Sequence, residues 1–135
     1  MPTMADAILD LAAVSAAVDH YFTGFNAEDH DAVAALFEAD GVLLAPFEEP
    51  IVGPEAIAVY LQAEAINMRA IPVEVEATLN PDGTQQVVVK GQVKTLLFTV
   101  SVRWTFVVTA EDRLQSTEIK LLASLQELMQ FDRGQ

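Results

Sequence analysis

Two aromatic side chains that each carry one polar group are the candidates for chemistry in this sequence. Tyr21 lies on the apolar stripe of a predicted first helix, and Trp104 lies on the apolar face of a predicted central strand. Each has an apolar body and one hydrogen-bond donor, and a buried donor needs a partner. Two such donors converging in a pocket can hold one acceptor oxygen of a hydrophobic ligand. Two core residues bonded to backbone carbonyls would give the same pattern, so the residues alone leave both roles open.

The other polar residues give no catalytic or metal-binding motif. The sequence has no nucleophile elbow, no glycine-rich phosphate loop and no H-E-x-x-H. His20 and His30 stand ten residues apart, which does not suit a shared metal, and we expect His30 in a solvated loop and His20 on the surface. Glu118 and Lys120 are two apart on the last predicted strand, where a cross-strand ion pair is the simplest role. The sequence therefore predicts no metal site.

The charge and hydropathy of the sequence limit the classes of protein to which it can belong. The 135 residues carry a formal net charge of −13 and no cysteine, yet 52% are hydrophobic and the mean hydropathy is +0.30. An acidic surface repels phosphate backbones and anionic lipids, so nucleic-acid binding is not expected. No apolar stretch approaches the roughly 18 residues of a membrane span, and we expect a cytoplasmic protein. The apolar excess indicates a cavity, a subunit interface or both.

The elements that must position Tyr21 and Trp104 follow from hydrophobic spacing. Spacings of three and four predict helices over residues 5–26, 29–39 and 54–68, and a short one over 125–131. A buried strand is predicted at 42–44 and a minimal strand at 51–52, and alternation with period two predicts four more strands from residue 71 onward. Helices followed by strands favour one α+β domain over residues 1–135, a cone in which helices wrap a curved antiparallel sheet.

Several segments resemble a known family. The segments Phe25–Asp29, Leu36-Phe37, Asp40-Gly41, Pro46-Phe47 and Pro50–Gly53 resemble the nuclear transport factor 2-like fold, which ketosteroid isomerase and polyketide-cyclase-like enzymes share. A closer resemblance is to the C-terminal domain of the orange carotenoid protein and its free-standing homologues. Its most specific segments are Pro46–Gly53, Ile71-Pro72, Lys90–Thr95, Trp104–Phe106 and Leu121–Leu128.

This resemblance implies a non-enzymatic carrier of a ketocarotenoid, such as canthaxanthin or echinenone, with a photoprotective role. Tyr21 and Trp104 fall on the positions that donate to the carotenoid keto oxygen in that family. One domain covers only one end of a carotenoid, so we expect a homodimer, with residues 125–131 as a lid and a helical carotenoid-binding protein as a possible partner. The expected lining is apolar and comprises Phe25, Phe37, Leu43, Val52, Met68, Val93, Phe98, Val102 and Phe106 beside Tyr21 and Trp104.

Departures from the family and two alternatives stay open. The chain reads Leu96–Thr99 where the family has a tryptophan and a glycine-rich connection, and Glu64 stands where two-domain members bridge to a helical domain. The first alternative is an isomerase or cyclase, which needs a general base beside the substrate. The resemblance places the isomerase base just before Pro46, where this chain has Ala45. The second alternative is a dimerisation module without a ligand.

Overall fold

The computed structural model describes residues 9–122. Within this range the chain forms helices and strands in the order α-α-α-β-β-α-β-β-β-β. No helix of the described residues is long and apolar enough to cross a membrane. The helices are α1 (Leu11–Val14), α2 (Ala16–Asn26), α3 (His30–Ala34) and α4 (Pro54–Glu64), and the strands are β1 (Phe37–Leu44), β2 (Ile51–Val52), β3 (Arg69–Leu79), β4 (Gln85–Lys94), β5 (Thr99–Val108) and β6 (Leu114–Leu121).

One open six-stranded sheet carries the fold, in the order β2-β1-β6-β5-β4-β3. The predicted α+β class is confirmed. The sheet is mixed rather than fully antiparallel, because β1 pairs with β6 in parallel. Short turns connect β3 to β4, β4 to β5 and β5 to β6, and strands joined by such turns must pair antiparallel. Strand β1 is separated from β6 by most of the chain, so no short turn prevents parallel pairing of these two strands.

The predicted first helix is interrupted at Ser15. This residue is extended, with a φ of −163°, and its hydroxyl accepts a hydrogen bond from the Val18 amide at the start of α2. The Asp112 carboxylate, in the turn between β5 and β6, accepts hydrogen bonds from the Ser15 hydroxyl at 2.6 Å and from the Ala17 amide at 3.2 Å. A carboxylate at a helix N-terminus is favourable. The hydrophobic stripe runs through this break, so spacing alone predicted one continuous helix.

The predicted second helix is wrong over its last five residues. It ends at Ala34, and β1 begins at Phe37, where a helical stripe was expected to continue. The Arg113 guanidinium donates hydrogen bonds to the carbonyls of Ala35 and Phe37 and forms a salt bridge with Glu38 at 3.1 Å. These partners are remote in sequence, so local spacing could not predict where the helix gives way to the strand.

Gly91 in β4 is required by a close approach of β3. The register between the two strands shifts between Pro72 and Glu74, which marks a bulge opposite this glycine. A Cβ atom at residue 91 would collide with the carbonyl oxygen of Ile71. The bulge and the glycine together let the backbone of β3 approach that of β4 closely.

The turns of the strand region follow the sequence with one exception. The predicted turn at Asn80–Gly83 is confirmed by a hydrogen bond from the Gly83 amide to the Asn80 carbonyl. Leu97 was expected on the apolar face of a strand, but it lies in the hairpin between β4 and β5 and is 89% exposed. The predicted helix and lid over residues 125–131 lie outside the described residues.

Candidate functional site

An apolar cavity of about 250 Å³ lies between α4 and the inner face of the sheet. Five regions of the chain supply its walls. They are the end of α2, the segment after β1, the end of α4 with the loop that follows, the hairpin of β4 and β5, and the end of β6. The lining residues are Phe25, Ala45, Pro46, Tyr60, Leu61, Glu64, Ala65, Met68, Val93, Thr95, Phe98, Val100, Val102, Trp104, Ile119 and Leu121.

Strand alternation explains which residues reach the cavity. Val100, Val102 and Trp104 follow one another at every second position of β5 and all line it. In β6, Ile119 pairs with Trp104 and Leu121 pairs with Val102, so these side chains share the same face. The predicted alternation in this region therefore identifies the inward residues correctly.

A polar clamp fixes α2 against β3 beside the cavity. The Asn26 amide group donates to the Ala70 carbonyl at 2.9 Å and accepts from the Ala70 amide at 2.7 Å. Asn26 follows Phe25 directly, and Ala70 lies two residues after Met68, so both clamped residues adjoin residues of the lining. The clamp thus sets the distance between two walls of the cavity.

Tyr21 and Trp104 lie in one aromatic cluster at the inner end of the cavity. Tyr21 is 0% exposed, and its ring centroid lies 5.1 Å from that of Phe106 and 5.2 Å from that of Phe22. The Phe22 ring in turn lies 4.8 Å from the Trp104 ring, edge to face. Trp104 lines the cavity, whereas Tyr21 lies behind the lining residues. The two polar-tipped aromatics are therefore close together, but they stand at different depths.

The Tyr21 phenol is buried without a hydrogen-bond partner among the described residues. Burial, above all, raises the pKa of this phenol well beyond its ordinary value, the Tyr60 phenol raises it further, and the nearby Trp104 indole opposes the rise. The phenol is neutral at any physiological pH, and it retains the capacity to donate to a further acceptor.

The α4 wall of the cavity combines a second phenol with a carboxylate. Tyr60 and Glu64 stand four residues apart on α4, and both line the cavity. Burial raises the pKa of Tyr60, and the charges of Glu48 and Glu64 raise it further. Tyr60 was missed by sequence reasoning. Its helix carries a weak apolar stripe, and only the packing of α4 against the sheet shows that this residue faces the cavity.

Exposed apolar side chains adjoin the mouth of the cavity. Phe47 is 96% exposed and has a φ of +65°, a left-handed conformation that is rare for a bulky residue. Leu96 and Leu97 are exposed in the β4–β5 hairpin, next to the lining residue Phe98, which is itself 58% exposed. We call Phe47, Leu96, Leu97 and Phe98 the apolar rim.

The predicted site residues divide into three groups. Phe25, Met68, Val93, Phe98, Val102 and Trp104 line the cavity. Tyr21, Phe37, Leu43 and Phe106 are fully buried in the core and are not among the lining residues. Val52 does not reach the cavity, because it lies on the two-residue edge strand β2 and is more than half exposed.

The prediction for His30 is wrong. This residue opens α3 and is 7% exposed, and its Nε2 atom has no hydrogen-bond partner among the described residues. His20 is exposed, as expected. Among residues 9–122, no group of three or more histidine, aspartate or glutamate side chains is arranged to hold a metal ion.

Comparison with known proteins finds one domain family and closely related carotenoid proteins. The nuclear transport factor 2 (NTF2) domain matches residues 13–117. An orange carotenoid-binding protein of Synechocystis sp. is 35% identical over 123 residues, covering 88% of this chain and 39% of the relative. One of Limnospira maxima is 34% identical over 113 residues, covering 81% of this chain and 36% of the relative. This chain thus spans less than two fifths of the length of each of these two relatives.

A solved structure shows the same relationship in three dimensions. The orange carotenoid protein of Anabaena (Nostoc) sp. PCC 7120, solved binding canthaxanthin, superposes with a TM-score of 0.78 at 33% sequence identity. The match covers 86% of this chain and 39% of that one. The resemblance to the C-terminal domain of the orange carotenoid protein is thereby confirmed at the level of sequence and fold.

Proposed function

This chain belongs to the nuclear transport factor 2 domain family, and from that premise we propose that it is a non-enzymatic carrier of a ketocarotenoid. The related proteins of cyanobacteria are named for orange carotenoid binding, and one was solved with canthaxanthin. The pigment itself would supply the conjugated polyene that absorbs visible light. The residues of this chain would bind one end of it, orient it and keep water away.

The observation that carries the proposal is the inner end of the cavity. Its walls are almost wholly apolar, and the Trp104 indole stands among them, with the Tyr21 phenol close behind and without a hydrogen-bond partner within residues 9–122. A buried phenol without a partner costs free energy unless a ligand supplies an acceptor. A keto oxygen between the two rings would accept a hydrogen bond from each. To reach it, the Tyr21 hydroxyl needs a small rearrangement of the lining, because it lies behind the cavity wall.

The volume of the cavity favours a ligand that is shared between two subunits. Cavities that enclose a drug-sized molecule measure about 300–1,000 Å³, and this one is about 250 Å³. It holds a terminal ring, while the polyene leaves through the mouth past the apolar rim. A second subunit over the same mouth would cover the remaining polyene and bury Phe47 and Phe98. We therefore propose a homodimer that faces mouth to mouth.

The lining lacks the proton acceptor that isomerase chemistry needs at its inner end. Ala45 lines the cavity at the position expected for that base, and a methyl group takes no proton. Among the lining residues, the one carboxylate is that of Glu64, which is exposed at the mouth. The lining of this cavity is therefore suited to binding rather than proton transfer.

Two further parts of the proposal rest on the family resemblance and on composition. Relatives that are more than twice as long share this domain, so we propose that a separate helical carotenoid-binding protein exchanges pigment with it. A cytoplasmic location fits the absence of cysteine, and we propose a photoprotective role from the family resemblance.

Expression in cells that produce canthaxanthin tests the proposal directly. We expect a coloured protein that sediments as a dimer, and a visible band that shifts in Tyr21→Phe and in Trp104→Phe. Tyr60→Phe is the matched control, because Tyr60 lines the cavity without belonging to the aromatic cluster that contains Tyr21 and Trp104. A colourless protein with steroid isomerase activity, or a colourless inert dimer, would contradict the proposal.

A further inference from the structure

A layer of four side chains closes the inner end of the cavity, beyond its deepest lining residues. The last lining residues that pair across strands are Trp104 in β5 and Ile119 in β6. The next layer inward is formed by residues that are paired across β4, β5, β6 and β1 and are each 0% exposed: Val87, Phe106, Thr117 and Leu43. We call these four residues the floor layer.

Thr117 supplies the one polar side-chain atom of the floor layer. Alternation along β6 directs Thr117 to the same face as the lining residue Ile119. Within residues 9–122 the Thr117 hydroxyl has no hydrogen-bond partner. Thr117 pairs with Phe106, and the Tyr21 ring centroid lies 5.1 Å from that of Phe106. Two buried hydroxyl groups that lack a partner within the described range are therefore neighbours of the same phenylalanine.

The Thr117 hydroxyl is unfavourable for the chain without a ligand. An unpaired buried hydroxyl costs free energy, whereas valine would fill the same space without that cost. Other polar groups of the lining differ in this respect. The Thr95 hydroxyl bonds to the backbone of Phe98, Tyr60 is half-buried and Glu64 is exposed, so solvent reaches both. Thr117 is thus the group for which a ligand would supply the missing partner.

We propose that Thr117 is a ligand-positioning residue that selects a ketocarotenoid with a hydroxyl group on the ring carbon next to the keto group. This inference rests on the proposed function, in which the keto oxygen lies at Trp104 and Tyr21. Thr117 lies two residues from Ile119, the strand partner of Trp104, and is therefore the diagonal neighbour of Trp104. Such neighbours are about 7–8 Å apart, within reach of an aromatic side chain.

The chemistry of the ligand ring fits this spacing. In an α-hydroxy ketone the two oxygens are about one hydrogen-bond length apart, so one can bond to the Trp104 indole while the other bonds to Thr117. Both hydroxyl groups of the second contact can donate and accept, so the pair is satisfied in either direction. A ring methylene at the same place leaves Thr117 unpaired. Because Thr117 lies behind the lining, the ring must displace the floor layer slightly, as it must to reach Tyr21.

Titration of the full chain with two pigments tests the proposal. Canthaxanthin carries keto groups alone, and astaxanthin carries a hydroxyl group beside each keto group. Visible absorption gives a Kd for each pigment, and the ratio of the two is the selectivity. We expect the wild type to bind astaxanthin about twofold to tenfold more tightly than canthaxanthin, as one additional hydrogen bond provides. Thr117→Val should reduce this ratio to about one and leave the Kd for canthaxanthin unchanged.

Two further variants control for shape and for folding. Thr105→Val is the matched control, because Thr105 is a strand threonine between Trp104 and Phe106 that points to the other face of the sheet, and it should keep the wild-type selectivity. Thr117→Ser keeps the hydroxyl group and should also keep the selectivity. Urea unfolding of the pigment-free protein should show a higher midpoint for Thr117→Val than for the wild type, which also shows that this variant folds.

Separate results would overturn this inference and the proposed function. Equal Kd values for the two pigments in the wild type, or unchanged selectivity in Thr117→Val, would overturn the inference and leave carotenoid binding intact. Loss of selectivity in Tyr60→Phe with its retention in Thr117→Val would assign the ring hydroxyl to the α4 wall instead. A lower urea midpoint in pigment-free Thr117→Val would show that the hydroxyl already has a partner. Failure of the wild type to bind either pigment would overturn the proposed function and this inference with it.

Discussion

Replacing Tyr21 with phenylalanine should stabilise the ligand-free protein while weakening its hold on a ketocarotenoid. The substitution removes only a hydroxyl group that is 0% exposed and has no hydrogen-bond partner among the described residues. The ring itself keeps its contacts with Phe22 and Phe106, because phenylalanine has the same shape. The substitution should therefore raise the stability of the ligand-free protein and lower its affinity for the pigment. This combination distinguishes a hydroxyl that binds ligand from one that only forms part of the core.

The expected magnitudes follow from the burial of the hydroxyl. An unsatisfied buried polar group costs about 1–3 kcal/mol. The nearby Trp104 indole compensates in part, so we expect a gain of about 1 kcal/mol in the free energy of unfolding. For a domain of this size that corresponds to a rise in Tm of roughly 3–5 °C. Loss of one hydrogen bond to the keto oxygen costs about 0.5–1.5 kcal/mol, which is roughly a twofold to tenfold rise in Kd.

Two measurements on the same preparations test this prediction. Urea unfolding of pigment-free protein gives the change in stability, and titration with canthaxanthin followed by visible absorption gives the change in Kd. Tyr60→Phe is the control, because Tyr60 is only partly buried, and the stability of this variant should change by no more than about 0.5 kcal/mol. If Tyr21→Phe destabilises the pigment-free protein by about 1 kcal/mol or more, the phenol already has a partner and the reasoning fails.

Three further predictions concern the framework around the cavity. Gly91→Ala should lower the free energy of unfolding by about 1–3 kcal/mol, since the added Cβ meets the Ile71 carbonyl. Urea unfolding measures this loss, with Gln92→Ala as the control. An unchanged urea midpoint in Gly91→Ala would contradict the prediction. Asn26→Ala should lower the free energy of unfolding by about 1–3 kcal/mol and also weaken pigment binding, because it leaves the Ala70 amide and carbonyl without their partners. Thr23→Ala, at an exposed position of the same helix, is the control. Wild-type pigment affinity in Asn26→Ala would show that the clamp does not shape the cavity. Asp112→Asn should lower the free energy of unfolding by about 0.5–1 kcal/mol, because it removes the charge at the start of α2. Thermal unfolding measures this loss, with Glu111→Gln as the control. Equal losses in both variants would refute a specific role for the Asp112 carboxylate.

Strand β5 and the turn before β4 were predictable from the sequence to the level of individual residues, whereas the expected place of Leu97 in a strand was wrong. Alternation over residues 100–108 identified Val102, Trp104 and Phe106 as inward, and the turn at Asn80–Gly83 was placed correctly. The helical region was less predictable. The hydrophobic stripe passes through the break at Ser15 and through the change from helix to strand before Phe37. Both features depend on hydrogen bonds to Asp112 and Arg113, which are about 75 or more residues away along the chain.

The candidate site shows the same division. Chemistry and periodicity singled out Tyr21 and Trp104 as polar-tipped aromatics on apolar faces, and short-range spacing is enough for that. The inclusion of Tyr60, the exposure of Val52 and the burial of His30 depend on which elements pack together. None of these leaves a signal in the spacing of neighbouring residues.

The sequence by itself determined the α+β class, the inward faces of β4 and β5 and the two aromatics that could hold an oxygen. These properties follow from the alternation of side chains along a strand and from their rotation about a helix, and both are local. The tertiary structure alone decided the depth of Tyr21 behind the cavity wall, the parallel pairing of β1 with β6 and the pairing of Phe106 with Thr117. Those depend on strand register and packing between distant segments, which the local pattern of a single chain does not specify.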